Sequence, residues 1–326
     1  MTLLSRVAAL AALSLGCGTT TATPIETAPV SRVSRPAASP AVLQGEQLLA
    51  KGQVKEAWAI LEDAVEDEPD DPRAWLDLGL VYEEVGDLSA AERAYRRSTE
   101  LDGRFAEAFN NLGVLLRERG DLSEAVTMLE RAVDLDPVLG PARFNLALAY
   151  EDLGDGAAAE EQYLAAIDVL KGDPVPRINL AMLYLDEGRA DEAKTQLREA
   201  IPRVEGDVLL SVAVGNALRR AGDSSAAVEV LHAALAHAPD PPPTGLLAEL
   251  ALALFANGDL PAAESVMRRA VGQEPADPAL QYALGTMLAK QGFRDEARRH
   301  LSRVVTLDPD GPLAERAKAQ LRAISR

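Results

Sequence analysis

The sequence predicts an all-α protein, an α-solenoid of about eight stacked helix–turn–helix units closed by a C-terminal capping helix. Three observations predict it. Gly52, Gly86, Gly120, Gly154, Gly188, Gly222, Gly258 and Gly292 fall 34 residues apart, with a single step of 36 between Gly222 and Gly258. An alanine stands five residues after each: Ala57, Ala91, Ala125, Ala159, Ala193, Ala227, Ala263 and Ala297. A glycine or alanine stands seven residues before each: Gly45, Gly79, Gly113, Ala147, Ala181, Gly215, Ala251 and Gly285. A fixed period of this length is one supersecondary unit repeated, each unit leaving an apolar face for the next to cover. Composition agrees, because aromatic residues make up 4% of the 326 residues, whereas strands favour β-branched and aromatic side chains.

Within each unit the repeating glycine ends the first helix, since glycine takes φ > 0 without a Cβ clash. Asp follows it in five cases: Asp87, Asp121, Asp155, Asp223 and Asp259. The small residues before and after the glycine are expected where the two helices cross closely. Pro69, Pro137, Pro239, Pro275 and Pro309 end second helices, since proline cannot continue the ladder.

The stretches AWLDLGLVYEEVGDLSAAERAYRRSTELD (74–102) and AFNNLGVLLRERGDLSEAVTMLERAVDLDP (108–137) carry large residues at matching places: Trp75, Leu78, Tyr82 and Tyr95, then Phe109, Leu112, Leu116 and Leu129. This pattern resembles the tetratricopeptide repeat. The resemblance implies a right-handed superhelix whose first helices line a concave groove. Eight repeats are read, at 38–71, 72–105, 106–139, 140–173, 174–207, 208–241, 244–277 and 278–311. The first departs from the pattern, with Ala41 in place of a large aromatic and Pro40 shortening its first helix, as in an atypical end unit. Pro241, Pro242 and Pro243 sit at the one break in spacing. Residues 312–326 have apolar positions at helical spacing and read as the capping helix.

The N-terminal residues are an address. Residues 1–16 place Arg6 before a short apolar run ending at Gly16, the form of a secretory signal. The run is shorter than the ~20 residues that a membrane-spanning helix needs. Cys17 is the only cysteine of the chain and follows Leu13, Ser14, Leu15 and Gly16. This resembles the lipobox of bacterial lipoproteins and implies a lipidated Cys17, although Ser14 and Leu15 are exchanged relative to the usual order. Gly18 in place of Asp implies the outer membrane, facing the periplasm, by the enterobacterial sorting rule. Residues 17–40 are rich in Thr, Ala, Ser and Pro and read as a disordered tether.

Formal net charge is −18 overall, and −20 once the first forty residues are set aside. Such an acidic body argues against nucleic-acid binding, which needs Lys and Arg on phosphates. The membrane is expected to be reached through the lipid alone. Neither a nucleotide-binding glycine loop nor a hydrolase or zinc motif is present. His232 and His237 are five residues apart, which puts them on different helix faces and gives no metal site. No cofactor, metal or catalytic residue is expected, and the chain reads as non-enzymatic.

The resemblance assigns the ligand-facing positions. Asn111, Asn145 and Asn179 stand 34 residues apart, with Asp77 at the equivalent place before them, and they are expected to form an asparagine ladder offering donors and acceptors to a peptide backbone. Glu83, Glu84, Glu118, Glu151 and Asp152 make an acidic wall, interrupted by Arg117, and Arg219 and Arg220 follow in repeat six. Ile178, Met182 and Leu185, then Ala248, Leu252 and Phe255, are apolar inner positions expected to form an exposed docking surface. The function read from these is a membrane-anchored scaffold that binds a protein or peptide client with a basic and apolar segment. The role expected is envelope-complex assembly, of the pilus-secretin or peptidoglycan-enzyme-adaptor type. The alternative is a self-associating structural module, a homo-oligomer without a separate client.

Overall fold

The computed structural model describes residues 36–324. The signal, Cys17 and the tether up to residue 35 lie outside the described residues, as does the end of the capping segment. Helices account for the described chain, with no strand among the described residues. Seventeen α-helices follow in order. They are α1 (Pro40–Ala50), α2 (Val54–Asp67), α3 (Pro72–Glu84), α4 (Leu88–Leu101), α5 (Ala106–Arg119), α6 (Leu122–Leu135), α7 (Gly140–Leu153), α8 (Gly156–Val169) and α9 (Val175–Asp186). The rest are α10 (Ala190–Ala200), α11 (Val208–Arg220), α12 (Ser224–His237), α13 (Thr244–Asn257), α14 (Leu260–Gln273), α15 (Pro278–Gln291), α16 (Arg294–Leu307) and α17 (Pro312–Ile324). They group into two compact units, one within Glu26–Pro176 and one within Arg177–Arg326.

The 34-residue ruler is a packing device. All eight ruler glycines have positive φ, from 71° at Gly52 to 91° at Gly258, a region that costs a residue with a Cβ. All eight alanines five residues on are 0% exposed. The small residue before each turn faces a large residue sixteen positions later. These large residues are Leu61, Tyr95, Leu129, Tyr163, Leu197, Leu231, Met267 and Leu301, each 0% exposed. A Cβ on Gly113 would lie 2.5 Å from Leu129 Cγ, and one on Gly45 2.6 Å from Leu61 Cδ2. At these two crossings the missing Cβ lets the second helix seat its large side chain directly on the first, and Ala147, Ala181 and Ala251 take the same place in three other repeats.

The Asp after the ruler glycine caps the second helix. Asp87, Asp155, Asp223 and Asp259 accept from the backbone N–H of Ala90, Ala158, Ala226 and Ala262 at 2.9, 3.1, 3.4 and 3.2 Å, satisfying an orphan donor. Asp121 stands at the same place and makes no such side-chain bond. Pro40 occupies the first turn of α1 behind the N-cap Ser39, and the helix is 11 residues long. Trp75 Nε1 donates to the Pro69 carbonyl at 2.8 Å, and Trp58 meets Tyr82 edge to face at 5.7 Å.

In each unit the first helices of neighbouring repeats pack directly on one another: α1 on α3 and α5 on α7, then α11 on α13, α13 on α15 and α15 on α17. Helices α12 and α13 also pack across the Pro241–Pro243 break. The C-terminal end is closed by α17, which buries Ala314 and Ala317. Its Leu313, Leu321 and Ile324 lie against Leu301 and Val304 of α16.

Candidate functional site

The ligand-facing positions of the N-terminal unit lie on α3, α5 and α7. Gly79 admits the ring of Tyr95, whose hydroxyl then reaches Glu83, one helical turn after the glycine, and donates to its carboxylate. The same device recurs two repeats later, where Tyr163 donates to Glu151 at 2.7 Å, with Ala147 in the glycine's place. Burial raises the Tyr95 hydroxyl pKa, and the adjoining Glu83 carboxylate raises it further, so the phenol stays protonated and donates. Glu83 is itself pushed upward, first by burial and then by the charges of Glu118 and Glu84, against the opposing bond from Tyr95. Glu84 and Glu118 are therefore close enough for their charges to act on Glu83. Glu84, Glu118 and Asp152 are exposed.

The acidic wall is less free than the sequence suggested. Glu83 and Glu151 are half-buried and each spends a carboxylate oxygen on a tyrosine. Arg117, the expected exception, has a side chain only 8% exposed and pairs with Asp152 at 3.7 Å. Asp77 is 5% exposed and belongs to the interior.

The asparagines carry a surprise in Asn110, which sequence reasoning passed over. Asn110 Nδ2 donates to Asn111 Oδ1 at 3.0 Å, and Asn145 Nδ2 donates to Asn110 Oδ1 at 2.9 Å. Asn111 and Asn145 are thus tied through a third amide; all three are half-buried. Asn179 is 9% exposed and lies in the C-terminal unit. Asn110 and its two neighbours form a hydrogen-bonded chain of amides across α5 and α7.

In the C-terminal unit the expected docking residues need correction. Ile178 is 3% exposed and Ala248 0%, so neither belongs to an exposed apolar surface. Met182 and Leu185 are half-buried, and Arg220 lies over Met182, its Nη1 3.6 Å from the sulfur. Leu252 and Phe255 are also half-buried, and Lys290 covers the Phe255 ring at 4.6 Å from its centroid. Arg220 pairs with Asp186 at 2.9 Å. Arg219 pairs with Glu249 at 3.3 Å, and Glu249 is 1% exposed and also accepts from Asn216 at 2.9 Å. Arg219 therefore neutralises a buried carboxylate, whereas Arg220 makes a pair at the surface. A buried charge is tolerated only when paired and hydrogen-bonded, and Glu249 on α13 is the reason for Arg219. Its signal was absent from the sequence, where it is one glutamate among 51 acids.

Among the described residues no group of His, Cys, Asp and Glu is arranged to hold a metal ion, and no helix there is long and apolar enough to cross a membrane. His232 and His237 are exposed. His300 Nδ1 lies 2.7 Å from Gln281 Oε1, and burial with the nearby Arg268 holds its pKa down.

The fold defines a helical-repeat scaffold. Tetratricopeptide-repeat profiles match residues 48–113 and 254–321, 104–172, 212–278 and 174–199. The chain belongs to the tetratricopeptide repeat family, whose members are in general protein-interaction scaffolds without catalysis of their own. No match was found among curated proteins. Among solved structures it is similar to PilW, a widely conserved type IV pilus biogenesis factor, at 20% identity over 63% of this chain and 94% of that one, with a TM-score of 0.56. It is similar to Pseudomonas aeruginosa PilF at 18% identity over 74% and 93%, with a TM-score of 0.51. A chain of the APC/C hetero-tetramer Cut9-Hcn1 aligns at 18% identity over 88% of this chain, with a TM-score of 0.52, and this chain spans 55% of that chain's length.

Proposed function

We propose that the protein is a lipid-anchored, non-enzymatic scaffold of the bacterial envelope whose N-terminal unit binds a protein client through a basic segment. The observation that carries the reading is the placing of the exposed carboxylates Glu84, Glu118 and Asp152 beside the half-buried Glu83 and Glu151 on the first helices α3, α5 and α7. A face lined by one charge sign raises the local concentration of the opposite charge and speeds encounter. Tyr95 and Tyr163 hold two of the wall carboxylates in place. Asn111 and Asn145 on the same helices would meet the client's backbone.

The anchor rests on the sequence around Cys17. Cleavage before it and acylation of its thiol would give the mature chain a membrane attachment, and the Thr/Ala/Pro/Ser-rich stretch would space the repeats from the bilayer. A role in pilus-secretin assembly or as an adaptor for peptidoglycan enzymes is proposed by analogy with lipoproteins that join such an anchor to a repeat scaffold.

Two measurements test the reading. Wild type should take up labelled palmitate and fractionate with membranes, and Cys17→Ser should do neither; equal fractionation would remove the anchor. A client captured from solubilised envelopes should associate more slowly with the Glu84→Lys, Glu118→Lys, Asp152→Lys variant. The wild-type on-rate should also fall with salt, as the Debye length shrinks from ~10 Å at 0.1 M to ~3 Å at 1 M. An on-rate indifferent to both would leave the wall a solvated face, and light scattering showing an oligomer instead would favour the self-associating module.

A further inference from the structure

We infer that Asn110 is a positioning residue that fixes Asn111 and Asn145 as one polar unit able to read an extended peptide backbone. The inference rests on the proposed client site and goes beyond it by naming the residue that makes recognition of the backbone directional.

Asn110 sits between the other two amides, donating to Asn111 and accepting from Asn145. A primary amide carries one carbonyl acceptor and two N–H donors. The two bonds fix which way each amide faces. The Asn145 carbonyl and the Asn111 amino group carry no bond within the triad, so one acceptor and one donor stand at its two ends. Were the chain of bonds reversed, the two would exchange places. An extended peptide presents N–H and C=O groups in alternation along each edge, so one acceptor and one donor held on neighbouring helices suit such an edge. A lone asparagine on a helix surface turns freely and offers either group. The link through Asn110, which sits on α5 beside Asn111 and reaches across to α7, removes that freedom before the client arrives. Orientation gained in advance is not lost as entropy on binding. The acids set charge preference; the amide triad sets attachment to the backbone, whatever the side chains.

The test uses two fluorescent probes with the full chain: a capped dodecapeptide of alternating lysine and serine, and the same peptide with alternate backbone amides replaced by esters. The ester removes an N–H donor and keeps charge, length and extended shape. Wild type should bind the amide probe about threefold to tenfold more tightly than the ester probe, the yield of one hydrogen bond. In Asn110→Ala the preference should vanish while the salt dependence of binding stays, since the acids are untouched. Equal binding of both probes by wild type overturns the inference and leaves the acidic wall standing. Failure of wild type to bind the amide probe at all overturns both. A measurement that needs no variant stands beside these: the side-chain N–H protons of Asn145, which donates to Asn110, should exchange with solvent more slowly than those of a free primary amide, and free-amide exchange overturns the triad. In Asn110→Ala that protection should be lost without a change in helical content.

Discussion

The two units are built on the same ruler and differ in charge. Residues 36–176 hold 30 Asp and Glu against 12 Lys and Arg, a formal net of −18, and residues 177–324 hold 20 against 17, a net of −3. The difference shows most clearly one turn after the small residue of each first helix. In the N-terminal unit that place is Glu83 or Glu151 where the partner large residue is Tyr95 or Tyr163. In the C-terminal unit it is Arg219 where the partner is Leu231, and the arginine turns instead to Glu249 on the next first helix. Repeat three, with Arg117 and Leu129, follows the arginine form inside the acidic unit. A tyrosine can donate to a carboxylate across the helix pair; a leucine cannot, and the polar group then looks to the neighbouring repeat. Packing fixes the small and large positions, and the position between them is left to carry polarity.

The largest expected effect tests what the units share. Ala125→Trp and Ala227→Trp place an indole where an alanine is 0% exposed at a helix crossing. Each should cost about 3 kcal/mol, the upper end for overpacking, seen as a lower denaturant midpoint. An unchanged midpoint in either would mean that the ruler does not mark the same crossing in both units.

A smaller effect separates them. Arg219→Ala removes the cation beside Glu249, which is 1% exposed and keeps its bond from Asn216. Removing one partner of a fully buried pair costs about 3–5 kcal/mol; because Arg219 is 23% exposed and Asn216 remains, about 2 kcal/mol is expected. The double variant Arg219→Leu, Glu249→Leu should recover much of that loss in thermal melts. A lasting deficit would show that the pair does more than neutralise itself.

The smallest effect concerns pH in the acidic unit. The folded-state pKa of Glu83 is raised, chiefly by burial, so below that pKa the native state binds a proton that the unfolded chain does not yet hold. Its penalty on stability is therefore present above the folded pKa and relieved as pH falls through it towards the ordinary carboxylate value. Glu83→Gln should shift the urea midpoint relative to wild type most at neutral pH and progressively less in mild acid. A difference that grows on acidification would reverse the sign and remove burial as the cause.

The sequence by itself determined the repeat. Its period, the positive-φ glycines from Gly52 to Gly292, the buried alanines and the capping helix at 312–324 were legible because each is set within one helix pair. There local geometry restricts a position to glycine, to a small residue or to a large apolar one. The N-terminal end of the first helix was legible for the same reason, since Pro40 acts on its own backbone. What only the tertiary structure decided is which polar residues are spent. Glu83 on Tyr95, Asn145 on Asn110, Arg117 on Asp152 and Arg219 on Glu249 are partners 12, 35, 35 and 30 residues apart. Ile178 and Ala248 sit at positions assigned to a ligand and are buried all the same. A helix has the same periodicity whether its polar face meets water or a neighbour, and the meeting depends on how far one helix pair is displaced from the next. That displacement is a property of the packed surfaces together, so it appears only once they are assembled.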